Sequence, residues 1–304
     1  MKKLLTLLLF FTGIAVFGQT TLAEQHFESA DVKSVVVNGI FCDVEVMGGS
    51  SKVVFDGLIK GDGDSGDYII AAIQSGSTVV FKVERKTGKN WKWNSLDVSR
   101  LNLKIPDNVA LKIENTSGDV SVEDYTGEML EVRATSGDID MKRVKADCEI
   151  RTTSGDFQAR GITGDISMVS TSGDQEYLDV QGSVEAGATS GDIEIDKVDG
   201  DLRLSATSGD IDLDGVTGSI RANTTSGEIE GDYITLTDDS RFKTTSGGIY
   251  ITLENDLDQL SFDLRATSGN LKVGGIRADD SLVLEKGDIR IEGISTSGDQ
   301  VYRH

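Results

Sequence analysis

Three groups of residues in this chain carry side chains suited to binding chemistry. The first is a set of acids that each follow a glycine: Asp119, Asp138, Asp156, Asp174, Asp192 and Asp210, then Glu228 and, at the far end, Asp299. Six aspartates stacked side by side repel one another unless water or a counter-ion separates them. They read either as a column that holds Ca²⁺, a hard ion that takes several oxygens, or as side chains that each cap their own turn and face solvent. Turn capping is the favoured reading, because the GGxGxDxUx signature of calcium-binding β-rolls is missing.

The second group is Asp62, Asp64 and Asp67 in the loop GDGDSGD at 61–67. Asp-x-Asp opens an EF-hand-like loop, but Ile73 stands where such a loop needs its bidentate Glu. A plain acidic loop is the simpler reading. The third group is a basic, aromatic island, RKTGKNWKWN at 85–94, which holds both tryptophans, Trp91 and Trp93, with Lys82, Arg85, Lys86, Lys89 and Lys92 around them. Indoles stack on sugar faces and the cations pair with carboxylates or phosphates, which makes a platform for an acidic glycan or lipid head group. Alternatively, the tryptophans cover one end of the fold and the lysines extend outward.

Catalytic chemistry has little to build on. The two histidines are His26 and His304, near opposite ends of the chain, and the many Ser and Thr residues have no base at suitable spacing. The sequence therefore predicts a non-catalytic protein. A polysaccharide-active enzyme and a cation-binding structural rod are the alternatives.

The elements that must position these residues repeat. Thr-Ser-Gly occurs ten times, with glycines at Gly118, Gly137, Gly155, Gly173, Gly191, Gly209, Gly227, Gly247, Gly269 and Gly298. Five of the first six spacings are 18 residues and the other is 19. A fixed period of this size marks a repeat architecture. Within one unit, Ile193 and Ile195 alternate with charged neighbours, as do Leu202, Leu204 and Ala206. Alternation turns one set inward and the other to solvent. Tyr125, Val144, Ile162, Val180, Val198, Val216 and Ile234 recur seven residues after the glycines, and Gly164, Gly182, Gly200 and Gly218 recur nine after. Each unit is thus two short strands with glycine turns. So short a unit cannot cover a flat sheet, but it can form one coil of a parallel β-helix. Equivalent side chains then stack about 4.8 Å apart. The glycines from Gly118 to Gly227 are its turn scaffold. The rhythm loosens after Gly227, and Gly287, in KGDIRI, reads as a disguised copy of the unit.

Composition agrees with an all-β solenoid. There are 35 glycines but one proline, Pro106, which excludes collagen, and the low aromatic share of 6% suits a narrow core. Residues 1–18 read as a signal peptide, with Lys2 and Lys3 before the apolar run Leu4–Phe11, so the protein is expected to be secreted, periplasmic or in the cell envelope. No later segment is apolar enough to span a membrane. The formal charge of -21 becomes -23 once Lys2 and Lys3 are removed, a surface that repels nucleic acid. Export permits a Cys42–Cys148 disulfide, but Cys148 fills a slot that other repeats give to Leu or Ile, so a small core residue is the simpler reading. Residues 19–110 form a β-rich cap segment with a polar lead-in, Gln19–Ala30, and residues 111–304 form the repeat array. Phe41-Cys42-Asp43-Val44-Glu45-Val46 looks like a worn copy of the repeat.

The recurring TSGDIxI units, and the run Leu103-Lys104-Ile105-Pro106 that leads into Leu111-Lys112-Ile113-Glu114-Asn115-Thr116-Ser117-Gly118-Asp119, resemble the bacterial putative-adhesin family of secreted and envelope β-helix proteins. The resemblance runs from Val32 to the end and is strongest over Leu101–Ile229. It implies the β-helix. Taken as a whole, the chain is expected to be a monomer that displays a surface to a glycan, an envelope polymer or another protein. The resemblance brings no catalytic residues and no cofactor, and the Trp-Lys-Trp loop stands outside the motif.

Overall fold

A computed structural model of the chain describes residues 20–62, 64–86 and 96–304. Among these the chain forms thirty strands and one three-residue 3-10 turn, Leu257–Gln259, and no α-helix. All the strands join into one hydrogen-bonded sheet that is wound into a solenoid-like stack of repeats.

Through the array each strand pairs in parallel with its equivalent in the next repeat. Ile193 lies between Gln175 and Ile211, and Leu202 between Val184 and Ile220. The alternating pattern works as the sequence predicts: Ile193, Ile195, Leu202, Leu204 and Ala206 are buried, and so is the corner residue Val198. Truncating one inward position, such as Ile211→Ala, removes buried surface and leaves a cavity, at a cost of about 2–5 kcal/mol. Cys148 lies between Leu130 and Ile166, as its slot suggests. It and Cys42 are buried free thiols rather than a disulfide. Burial pushes both thiols up to about 12.

The turn glycines stack on one another. Gly173 has φ 107°, and a Cβ built on it would lie 2.1 Å from the carbonyl oxygen of Gly155. Both the left-handed backbone and the close approach of the neighbouring coil exclude a side chain. A second left-handed column is not visible in residue types. Asp124, Arg143, Asp179, Lys197 and Tyr233 have φ between 52° and 57°, in line with Gly161 and Gly215.

The ends of the stack depart from chain order. The first coil, Ser34–Ile40 with Asp43–Met47, is parallel to two neighbours. On one side lie Ala110–Asn115 and Val120–Glu123, and on the other Thr78–Arg85 and Leu96–Lys104. The pairing of Val44 with Val120 bears out the worn repeat at 41–46. Beyond this the sheet turns antiparallel: Tyr68–Ser75 forms a hairpin with Thr78–Arg85, and Val53–Gly61 lies between Leu96–Lys104 and Thr20–Ser29. The polar lead-in is therefore a ten-residue strand. Only Leu22 in it is buried, because the strand is an edge that faces water.

At the other end the coil Leu260–Ser268 with Leu271–Val273 is outermost. The last residues of the chain, Ile289–Ser297 and Gln300–Arg303, are inserted beneath it, above Ser240–Ser246 and Ile249–Leu253. Ile289 and Ile291 pair with Leu260 and Phe262, ahead of the triplet, so Gly287 is not a turn glycine of the ladder and the disguised-copy reading fails. Antiparallel strands Ile276–Ala278 and Ser281–Leu284 cover the outer edge.

Candidate binding groove

The Asp column faces solvent and caps turns, but not its own. Asp138 N–H donates to Asp119 Oδ1 (3.0 Å), Asp156 to Asp138 (2.8 Å), Asp174 to Asp156 (2.9 Å), Asp192 to Asp174 (2.9 Å) and Asp210 to Asp192 (2.8 Å). Each carboxylate accepts from the coil above it, and Asp43 begins the series by accepting from Asp119 N–H. A shorter second series runs through Asp147, Asp165 and Ser183, and through Asp201 and Ser219. The Ser219 backbone N–H and hydroxyl hold the Asp201 carboxyl below its usual range. One carboxylate oxygen per Asp is thereby used as a backbone acceptor.

In the acidic loop, Asp64 N–H donates to Asp67 Oδ2 (3.1 Å) and Asp67 N–H to the Asp64 carbonyl (3.1 Å), which closes a turn. Among the described residues no group of three or more His, Cys, Asp or Glu side chains gathers as a metal site. Asp62 and Asp64 are exposed. Of the basic, aromatic island, Arg85 ends the strand Thr78–Arg85, with its guanidinium carbon 5.9 Å from the centre of the Tyr68 ring. Lys89, Trp91, Lys92 and Trp93 lie outside the described residues.

The structure adds a feature that the sequence does not announce. Lys82, Asn38, Glu114 and Arg133 stand in register on four adjacent strands. Just past Asn38 the strand Ser34–Ile40 shifts register against Ala110–Asn115, and Ile40 takes φ 57°. These residues, with Thr116 and Thr135, line an open groove of about 310 Å³. Lys82 pairs with Glu84 (2.7 Å) and Arg133 with Glu131 (2.7 Å). Two amide oxygens in the lining, Asn38 Oδ1 and Asn115 Oδ1, are buried without a hydrogen-bond partner. Asn115 is 6% exposed, and its Nδ2 donates to the Cys42 and Gly118 carbonyls. No motif marks these positions, because the groove comes from a register shift between strands that are distant in sequence.

A second, smaller groove of about 260 Å³ is acidic: Glu194, Asp212 and Glu230 stand in one column, and Asp196, Asp214 and Asp232 in the next. Lower coils carry compensating charge on the same face, where Lys142 pairs with Asp140 and Arg160 with Glu176. Burial, then Glu230 and its acidic neighbours, raise the Asp212 carboxyl above its ordinary value. The histidines are far apart: His26 Nδ1 meets Asp56 (2.6 Å) on the cap, and His304 Nδ1 lies 3.1 Å from the Leu253 carbonyl. No helix among the described residues is long and apolar enough to cross a membrane.

Parallel coils, stacked turn glycines and antiparallel caps define a β-solenoid-like repeat protein. The family described as Toastrack DUF4097 matches residues 42–202 and 163–302, and the chain belongs to that family. No curated protein matches the chain. Among solved structures, a putative adhesin from Bacteroides fragilis is similar at 14% identity and TM-score 0.43, covering 76% of this chain and 96% of that one. A putative cell adhesion protein from Clostridium sporogenes is similar at 7% identity and TM-score 0.21, covering 92% of this chain and all of that one (100%).

Proposed function

We propose that this chain is a non-catalytic, adhesin-like protein of the secreted or cell-envelope compartment. In this reading the stack is a single-stranded parallel β-helix with a coil of about 18 residues. It is a rigid display for the Asn38 groove, which takes an acidic glycan or envelope polymer. The observation that carries the reading is the row Lys82, Asn38, Glu114 and Arg133, which lines one open groove. Sugar hydroxyls donate to the Glu114 carboxylate in that row, and a sugar carboxylate pairs with the Arg133 guanidinium and the Lys82 ammonium. The exposed side chain of Ile40 in the lining suits the apolar face of a pyranose ring. An open groove accepts a chain at any point along its length, as a polymer ligand requires. The signal-like residues 1–18 support the compartment.

A panel of acidic and neutral polysaccharides tests this reading. The protein should retain acidic polymers, lose them on Arg133→Ala, and leave their chain length unchanged. Equal retention by the variant rules out the groove, and release of shorter products favours the polysaccharide-active alternative. The excess of acids around Asp212, where Lys197 meets Asp196 and Arg303 meets Asp232 but Glu194, Asp212 and Glu230 stack in one column, supports a cation-binding rod as a second reading. In that case millimolar calcium raises the melting temperature, and an unchanged melt removes it.

A further inference from the structure

The inserted coil fills a slot that the preceding coils leave open until residues 289–303 are made. Leu260–Ser268 and Leu271–Val273 precede residues 289–303 in the chain yet lie outside them in the stack. Until those residues enter, the coils on both sides present unpaired strand edges, which are templates for any matching strand.

The fit is specific. Tyr302 is fully buried, with its ring 6.2 Å from Phe242 in the coil below and 5.6 Å from Phe262 in the coil above. Gly293 makes room for it: a Cβ there would lie 2.7 Å from Tyr302 Oη and 2.2 Å from Gln300 Oε1. Gln300 Nε2 donates to the Arg265 carbonyl (2.9 Å), Asn270 N–H donates to Asp299 Oδ1 (2.8 Å), and Arg290 N–H donates to Asp239 Oδ1 (2.8 Å). These contacts come from residues 289–303 alone, and nothing in the slot depends on which copy supplies them.

The connection is short and bent. Leu284 pairs with Phe262 on one edge of Leu260–Ser268, and Ile289 pairs with Leu260 on the other. Residues 285–288 carry the chain around the end of that strand. Gly287 makes the crossing: a Cβ on it would lie 1.6 Å from the Gln259 carbonyl oxygen. Ser261 Oγ holds the bend by donating to the Gly287 carbonyl (2.7 Å) and accepting from Lys286 N–H (3.1 Å).

We propose that the terminal coil is an exchangeable closing element, and that two copies form a reciprocal dimer in which residues 289–303 of each fill the slot of the other. Every pairing in the slot is kept, and only the bend at 285–288 straightens, so protein concentration sets the balance between forms.

Lys243 and Ile294 face each other across the inserted edge and supply the test. Lys243→Cys protein and Ile294→Cys protein are unfolded, mixed at high concentration, refolded together and treated with a short bis-maleimide. The native thiols are buried and do not compete. Exchange predicts a covalent heterodimer that falls as the refolding mixture is diluted. Gly287→Ala in both partners should raise the heterodimer fraction, because the added methyl obstructs the bend. The proposal is overturned if no heterodimer forms with the native hinge while the Lys243→Cys/Ile294→Cys double variant cross-links within one chain. That mixture decides the matter even if Gly287→Ala does not fold.

Discussion

Gly298 stacks on Gly247: a Cβ on Gly298 would lie 1.9 Å from the Gly247 carbonyl oxygen, and one on Gly269 would lie 2.2 Å from that of Gly298. The last triplet of the chain is thus sandwiched between two earlier ones. Removal of residues 285–304 should therefore not act like trimming the end of a simple solenoid. It opens a slot with an unpaired edge on each side, and the expected outcome is aggregation or a broad, early melt by circular dichroism. A sharp melt near that of the intact protein would show that the outer coil stands without the insert.

The Asp column makes its own prediction. Asp174→Ala deprives Asp192 N–H of its acceptor and should cost about 1 kcal/mol in denaturant unfolding, whereas Asp174→Asn keeps a side-chain oxygen in place and should cost less. Equal losses for both variants would mean that charge, not the hydrogen bond, is what counts.

Tyr233 holds φ 56° and is 63% exposed. An L-residue pays about 1–2 kcal/mol for that conformation and glycine does not. Tyr233→Gly should therefore stabilise the protein, offset in part by the greater entropy of the unfolded chain. Tyr233→Val should destabilise it. Thermal melts of the pair give the sign.

Asp212 yields a pH prediction. Burial, then Glu230, raise its folded-state carboxyl above the unfolded value of about 3.9. The folded state then holds the proton more tightly, so stability falls as pH rises from the unfolded value through the raised one. Asp212→Asn should raise the melting temperature at pH 7 and leave it unchanged near pH 3, where both states are protonated. A gain of the same size at both pH values would place the effect outside titration.

Much of the array was legible in the sequence because its determinants are local. Alternation placed Ile193, Ile195 and Leu202 in the core, and the period placed Gly173 over Gly155. What was not legible depends on strands far apart in the chain. Nothing local shows that Thr296 re-enters beneath Thr267, or that residues 20–29 form a strand against 53–61. The left-handed positions of Arg143 and Lys197 leave no mark, because the φ is imposed by the stack and not by residue type. Asn38 and Arg133 were missed for the same reason: only the register brings them into one row on either side of Glu114.

The central claim is that this family member binds an acidic polymer at the Asn38 groove without altering it. Titration calorimetry with a uronic-acid oligosaccharide tests it most directly, on wild type, Asn38→Ala, Arg133→Ala and the Trp91→Ala/Trp93→Ala pair. The account predicts saturable binding that Arg133→Ala weakens at least tenfold, about 1.4 kcal/mol. It also predicts a smaller loss for Asn38→Ala. Absence of heat for wild type, or unchanged affinity in both groove variants, would contradict it. Loss confined to the tryptophan variant would move the site to residues 85–94.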